Sequence, residues 1–174
     1  MNSKKKNALF ALFACVMIGV IVITVKVFFF PTKIEKKVFQ EKDFSIQLTD
    51  EFKKKDLKGA TYYYESDTAI VMIIRESEDG LEGIGVSSQS SLEEYMKAVV
   101  LNNELSKQTK IFKRGSYRFI SYESGDKKTG EFSFIATTYK KDGQFWLVNF
   151  ACRQSDDSKL KKEFLNWADS VKLK

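Results

Sequence analysis

The sequence predicts an α+β chain: an N-terminal transmembrane helix, then one domain in which an antiparallel sheet packs between helices. Three features predict it. An uncharged apolar run fills residues 7–25, an Asp142-Gly143 hairpin has apolar residues on both faces of its ribbon, and two segments carry apolar residues at helical spacing. A ribbon that is apolar on both faces belongs at the centre of its sheet, with cover on each side.

The apolar run follows Lys4, Lys5 and Lys6 and precedes Lys26 and the triplet Phe28, Phe29, Phe30. As a helix its nineteen residues would span roughly 28 Å, close to the ~30 Å of a bilayer's hydrocarbon core. A cleaved signal peptide is one alternative, but the run is longer than a usual signal core and no small-x-small cleavage site follows Val25. A lipoprotein is another, from Leu12-Phe13-Ala14-Cys15, although much of the apolar stretch still lies beyond that cysteine. The third is an uncleaved signal anchor, with Lys26 snorkelling to the interface and the phenylalanines at headgroup level. Lysines flank the run on both sides, yet keeping the short basic tail inside is the simpler insertion. The expected layout is therefore a cytoplasmic tail and transmembrane anchor over 1–31, a linker over 32–42 and an extracytoplasmic domain over 43–174.

Composition narrows the chemistry. The 174 residues carry a net charge of +6, but four lysines and no acid lie in the first thirty, leaving 25 basic against 23 acidic residues, or +2. The high isoelectric point thus belongs to the anchor and gives no reason to expect nucleic-acid binding. No histidine is present, which removes Ser-His-Asp and Cys-His catalysis and most zinc and copper sites. Cys152 is the one cysteine outside the apolar run and reads as a small buried hydrophobe.

Along the domain, Phe44, Ile46 and Leu48 alternate with polar residues, the pattern of a half-buried strand. Lys53, Lys54 and Lys55 read as a solvated turn, or else as a contact for anionic lipid or envelope polymer. Tyr62–Tyr64 reads as a strand, and Ala69–Arg75, apolar almost throughout, as one covered on both faces. The acidic stretch Glu76–Gly85 lacks the ligand order of an EF-hand and is expected to be a mobile surface loop. Ser91-Leu92-Glu93-Glu94 is a capping box that opens a helix whose Leu92, Tyr95, Met96, Val99 and Val100 face the core.

Strand returns between Lys110 and Glu123, with a turn at Lys113–Ser116, and Arg114 and Arg118 form a candidate anion contact. Ser124–Lys128 should close that strand as a polar turn. At the hairpin, a two-residue type I′ turn at Asp142-Gly143 sets Tyr139 opposite Trp146, Thr137 opposite Val148 and Ile135 opposite Phe150. The other face carries Phe132, Phe134, Phe145 and Leu147. A last helix, N-capped by Asp157 or Ser158, turns Leu160, Phe164, Trp167, Ala168 and Val171 inward.

Four stretches together resemble a family: the strand Phe44–Phe52, the helix Ser91–Tyr95, the hairpin Tyr139–Phe145 and the closing segment Phe164–Lys172. In order and texture, residues 38–174 are similar to the PsbP-like and DcrB-like proteins, although Thr49 stands where a proline often follows the first strand. The resemblance implies a PsbP-like α/β/α sandwich in an exported or membrane-tethered protein. It also implies a binding or assembly role with no shared catalytic constellation, so it assigns no catalytic, cofactor-binding or metal-ligating residue.

The sequence reading is thus a single-pass membrane protein whose extracytoplasmic domain is a non-catalytic binding or assembly unit of the cell envelope. Its expected partners are the membrane, through the N-terminal helix, and an envelope protein. Binding of a small ligand or an anionic envelope polymer is the alternative. A histidine-independent hydrolase is the least favoured, with Ser158 and Lys161 as a candidate dyad.

Overall fold

A computed structural model of the chain describes residues 34–105, 109–126 and 130–174. The expected transmembrane helix and Cys15 lie outside these residues. Among the described residues no helix is long and apolar enough to cross a membrane.

Among the described residues, ten strands form two antiparallel sheets. The large sheet has seven, in the order β3 (Lys53–Lys55), β4 (Tyr62–Glu65), β5 (Ala69–Arg75), β9 (Gln144–Arg153), β8 (Gly130–Lys141), β7 (Tyr117–Asp126) and β6 (Phe112–Arg114). The small sheet joins β1 (Lys36–Gln40), β2 (Phe44–Thr49) and β10 (Lys172–Leu173), with β2 in the middle. Accompanying them among the described residues are the helices α1 (Glu78–Gly83), α2 (Leu92–Asn102) and α3 (Asp157–Asp169).

The hairpin occupies the middle of the large sheet, with β9 its central strand. Its register is the expected one: Tyr139 pairs with Trp146, Thr137 with Val148 and Ile135 with Phe150. Asp142 at φ 51° and Gly143 at φ 77° supply the two positive-φ positions that a type I′ turn needs. Alternation then sorts the side chains into two cores. Phe132, Phe134, Phe145 and Leu147 join Ile70, Met72 and Ile74 under α2, packed on its Tyr95, Met96, Val99 and Val100. Ile135, Tyr139, Trp146, Val148 and Phe150 join Val71 and Ile73 on the opposite face, under Phe164, Trp167 and Ala168 of α3. Strand β5 contributes to both layers, as its unbroken apolar run requires.

The helix-sheet-helix layering has one addition. The small sheet shares the α3 face, turning Phe44, Ile46 and Leu48 into that core. Ser170 ties it to the end of α3 by accepting from the Gln47 amide at 2.9 Å.

Several local expectations give way. Residues 36–40, read as linker, form β1, whose exposed lysines hide the strand; only Phe39 turns inward. The three lysines read as a turn are an edge strand, where charge discourages pairing with another chain. The acidic stretch forms α1 where a loop was expected. Ser77 caps it by accepting from the Gly80 amide at 3.1 Å, and Leu81 plugs the core. Its glycines, poor helix formers, conceal it in the sequence. A Cβ at Gly80 would stand 3.2 Å from both Glu76 Oε2 and Ser77 Oγ, a close approach that glycine permits. Strand β7 runs on to Asp126, past the expected turn at Ser124. Finally, α3 begins at Asp157 after a 3-10 turn, Gln154–Asp156, and its N-cap Asp156 makes no side-chain cap bond. The acidic residues there act through the helix dipole instead. The capping box on α2 is formed as expected, with Glu94 accepting from the Ser91 amide at 2.7 Å and Ser91 from the Glu94 amide at 3.2 Å.

Candidate functional site

A cleft of about 580 Å³ opens between α1, the segment Val86–Gln89 and the tip of the central hairpin. Its apolar floor is Leu81 and Val86, both buried. Glu78 and Glu82 stand on one wall, Asp142 on the other, with Ser87, Ser88, Gln89 and Gln144 between, and none of the lining residues is basic.

The walls are held by specific bonds. Gln144 donates through Nε2 to the Glu76 carbonyl at 2.5 Å, and the Glu76 amide donates to the Phe145 carbonyl at 3.0 Å, which fastens the hairpin to the segment leading into α1. Lys140 donates to the Ser90 carbonyl at 2.7 Å, drawing the opposite loop onto the same hairpin. Gly143 packs its bare Cα against Ser88, where a Cβ would lie 3.4 Å from the Ser88 Cβ. Behind the wall, Tyr95 donates to Glu76 Oε1 at 2.5 Å. Burial raises the Glu76 carboxyl above the ordinary carboxylate range, opposed by that bond, and burial beside Glu76 pushes the Tyr95 phenol well up.

The arrangement suits a cationic group on a short apolar stem. Among the described residues no three His, Cys, Asp or Glu side chains stand close enough to hold a metal ion, so these carboxylates are spread along walls rather than converged on a point. Lysine or arginine side chains, which bury a methylene stem beneath a charged head, match a floor of Leu81 and Val86 beneath a carboxylate rim.

The other residues singled out by sequence fall elsewhere. Ser158 and Lys161 are both exposed on α3. Arg114 and Arg118 do not share a site: Arg118 pairs with Lys113 across the strands and Arg114 with Tyr117, which puts the two arginines on opposite faces. Arg114 engages Asp169, with Nε donating at 2.9 Å, and Tyr117 donates to the same carboxylate at 3.0 Å. Those bonds hold the Asp169 carboxyl below its ordinary value, the Arg114 bond most strongly. Lys54 and Lys55 pair with Glu41 at 2.8 Å and Glu65 at 3.0 Å. Cys152 is buried, and burial pushes its thiol up to about 12. Of the cleft residues, the acidic stretch supplies Glu78 and Glu82, whereas Asp142 and Gln144 read from sequence only as turn residues. An aspartate where asparagine serves a type I′ turn equally well was the available signal.

No protein-family model matches the sequence, and no curated protein matches it either. Solved structures do match the fold. The solution structure of cyanobacterial PsbP (CyanoP) from Synechocystis superposes over 86% of this chain and 99% of its own, with a TM-score of 0.54 and 13% identity. A crystal structure from Bacteroides thetaiotaomicron matches over 75% of this chain and 45% of its own, with a TM-score of 0.51 and 10% identity. The domain is a mixed α/β unit of PsbP-like fold, as its sequence texture suggested. At such identities the likeness establishes the fold alone.

Proposed function

We propose that this chain is a non-catalytic binding domain, tethered to the outer side of a cell membrane by residues 1–31, that docks a basic segment of an envelope protein partner in the acid-rimmed cleft. The cleft carries the reading. Its volume exceeds that of a single lysine or arginine side chain, its floor is apolar, and its walls are pinned by the Gln144, Lys140 and Glu76 bonds, so little ordering remains for a partner to impose. The PsbP-like fold is consistent with a binding role. The uncharged run 7–25 supports the tether.

The candidate dyad is a weak rival, because Ser158 and Lys161 stand exposed on the surface of α3 and neither lines the cleft. An anionic polymer is poorly matched to a rim of carboxylates.

Photo-crosslinking from Gln89 of the full chain in its native membrane tests the proposal. The expected product is a discrete adduct with an envelope protein, lost when Glu78→Lys and Glu82→Lys are combined. An adduct indifferent to that double charge reversal would remove the cleft from the account, and substrate turnover by the purified protein would overturn the non-catalytic reading.

A further inference from the structure

Ile34, Val38, Leu101 and Phe112 are the large hydrophobic side chains exposed among the described residues. Two of these belong together: Val38, 56% exposed, lies on β1, and Ile34, 57% exposed, just ahead of it. Pairing with β2 places Lys36 opposite Thr49 and Val38 opposite Gln47, and pairing of β10 with β2 places Lys172 opposite Ser45. Residues opposite one another share a face, so Lys36, Val38, Gln47, Thr49 and Lys172 form one surface of the small sheet. The other surface carries Phe39, Ile46 and Leu48 and is spent on the core. The outward face therefore combines apolar side chains with two ammonium groups and holds no carboxylate. Asp50, beyond the end of β2, is engaged by the Glu35 amide at 3.1 Å.

We propose that this face rests on an anionic bilayer surface, with Ile34 and Val38 at headgroup level and Lys36 and Lys172 against lipid phosphates. The inference rests on the tether reading above. The apolar run ends at Val25, nine residues before Ile34. Fully extended, such a linker spans at most ~30 Å, so β1 is the part of the domain held nearest the membrane. Charge selects the occupant: an anionic surface complements the two lysines, whereas a second copy placed face to face would oppose like charges.

The test uses the full chain with Cys15→Ala and Cys152→Ala, carrying Val38→Cys labelled with an environment-sensitive fluorophore. It is reconstituted in vesicles of roughly three parts phosphatidylcholine to one of phosphatidylglycerol, with and without doxyl-labelled lipid. The expected result is lipid quenching at Val38 and none for a label at Ser88→Cys, across the sheet in the cleft. Lys36→Ala should lower the ratio of docked to undocked label roughly five-fold. A chain that floats with the vesicles while its Val38 label stays in water overturns this inference and leaves the tether standing. A chain that fails to float overturns both. Shielding that resists lipid quenchers and disappears as protein is diluted in lipid assigns the face to a second copy and overturns the membrane contact. Ile34→Cys reads the same face should Val38→Cys fail to fold.

Discussion

On the α3 face, Tyr62 donates to Asp43 at 2.6 Å and Tyr117 to Asp169 at 3.0 Å, and each carboxylate also holds an arginine, Arg75 or Arg114. On the α2 face, Tyr95 donates to Glu76 in the same way, but no cation joins them among the described residues. The chemistry is alike and the consequence opposite. Asp43 and Asp169 are held below the ordinary carboxylate range, first by the Tyr62 and Arg114 bonds respectively, while burial lifts Glu76 above it. The α3 face is thus clipped at its rim by partly exposed ionic clamps that dock the small sheet and α3 onto an apolar core. On the α2 face, burial outweighs the tyrosine bond at the half-buried Glu76, which disfavours its charged form directly behind the cleft. A local cost of that kind beside a candidate binding site is where departures from pure stability are expected.

If the α3 face depends on its core more than on its clamps, truncating that core should have the largest effect. Phe164 is 1% exposed and packs on Phe150 and Trp167, with ring centroids at 5.6 and 5.5 Å. Phe164→Ala should cost ~3–5 kcal/mol in chemical denaturation. Trp146 and Trp167 both belong to this core, so tryptophan fluorescence reports on the α3 face. Far-UV circular dichroism reports on the whole domain. Coincident transitions would mean that the two faces melt together. A loss below ~1 kcal/mol would show that the aromatic layer is not what fixes α3.

The clamps give the next contrast. Tyr95→Phe leaves Glu76, whose carboxyl burial already raises, without its donor and should cost ~1–3 kcal/mol at neutral pH. Tyr62→Phe leaves Asp43 near water and still paired with Arg75 at 2.8 Å, so its cost should stay below ~1 kcal/mol. Equal losses from the two would erase the distinction between the faces.

How much of this was legible beforehand depends on the range of the information. The hairpin register follows from Asp142-Gly143 and period-2 alternation, and the α2 start follows from Ser91 and Glu94; both are local signals, and both are formed as read. Strand β1 is hidden in the sequence because it opens on two lysines and is exposed along most of its length, leaving no apolar alternation to detect. Helix α1 was missed because Gly80 and Gly83 argue against a helix that Ser77 and Leu81 nonetheless fasten. The cleft needs both the Glu78–Glu82 segment and the Asp142–Gln144 turn, about sixty residues apart in sequence. Only the pairing of β5 with β9 brings them together, and no local pattern encodes that pairing.

The smallest expected effect is a change of slope with pH, and it separates the faces by sign. The Glu76 carboxyl is raised in the folded state, so its contribution to stability is complete below its unfolded value near 4.5 and is lost as pH rises through the folded value. Asp43 and Asp169 are lowered, so theirs is present above their unfolded value of 3.8 and is lost as pH falls through the folded values. Glu76→Gln removes the titrating group while keeping an oxygen that accepts from Tyr95. Relative to the parent, this variant should therefore gain stability as pH is raised from 4.5 towards 7, and the difference should level off once Glu76 is ionised. Asp169→Asn should show no such rise in that interval, because its parent group is already ionised there, and should diverge only in more acid solution. Denaturation midpoints across this pH range decide the matter. A Glu76→Gln difference that stays flat from pH 4.5 to 7 would mean that Glu76 is well solvated when charged, and the α2 face would then carry no buried cost behind its cleft.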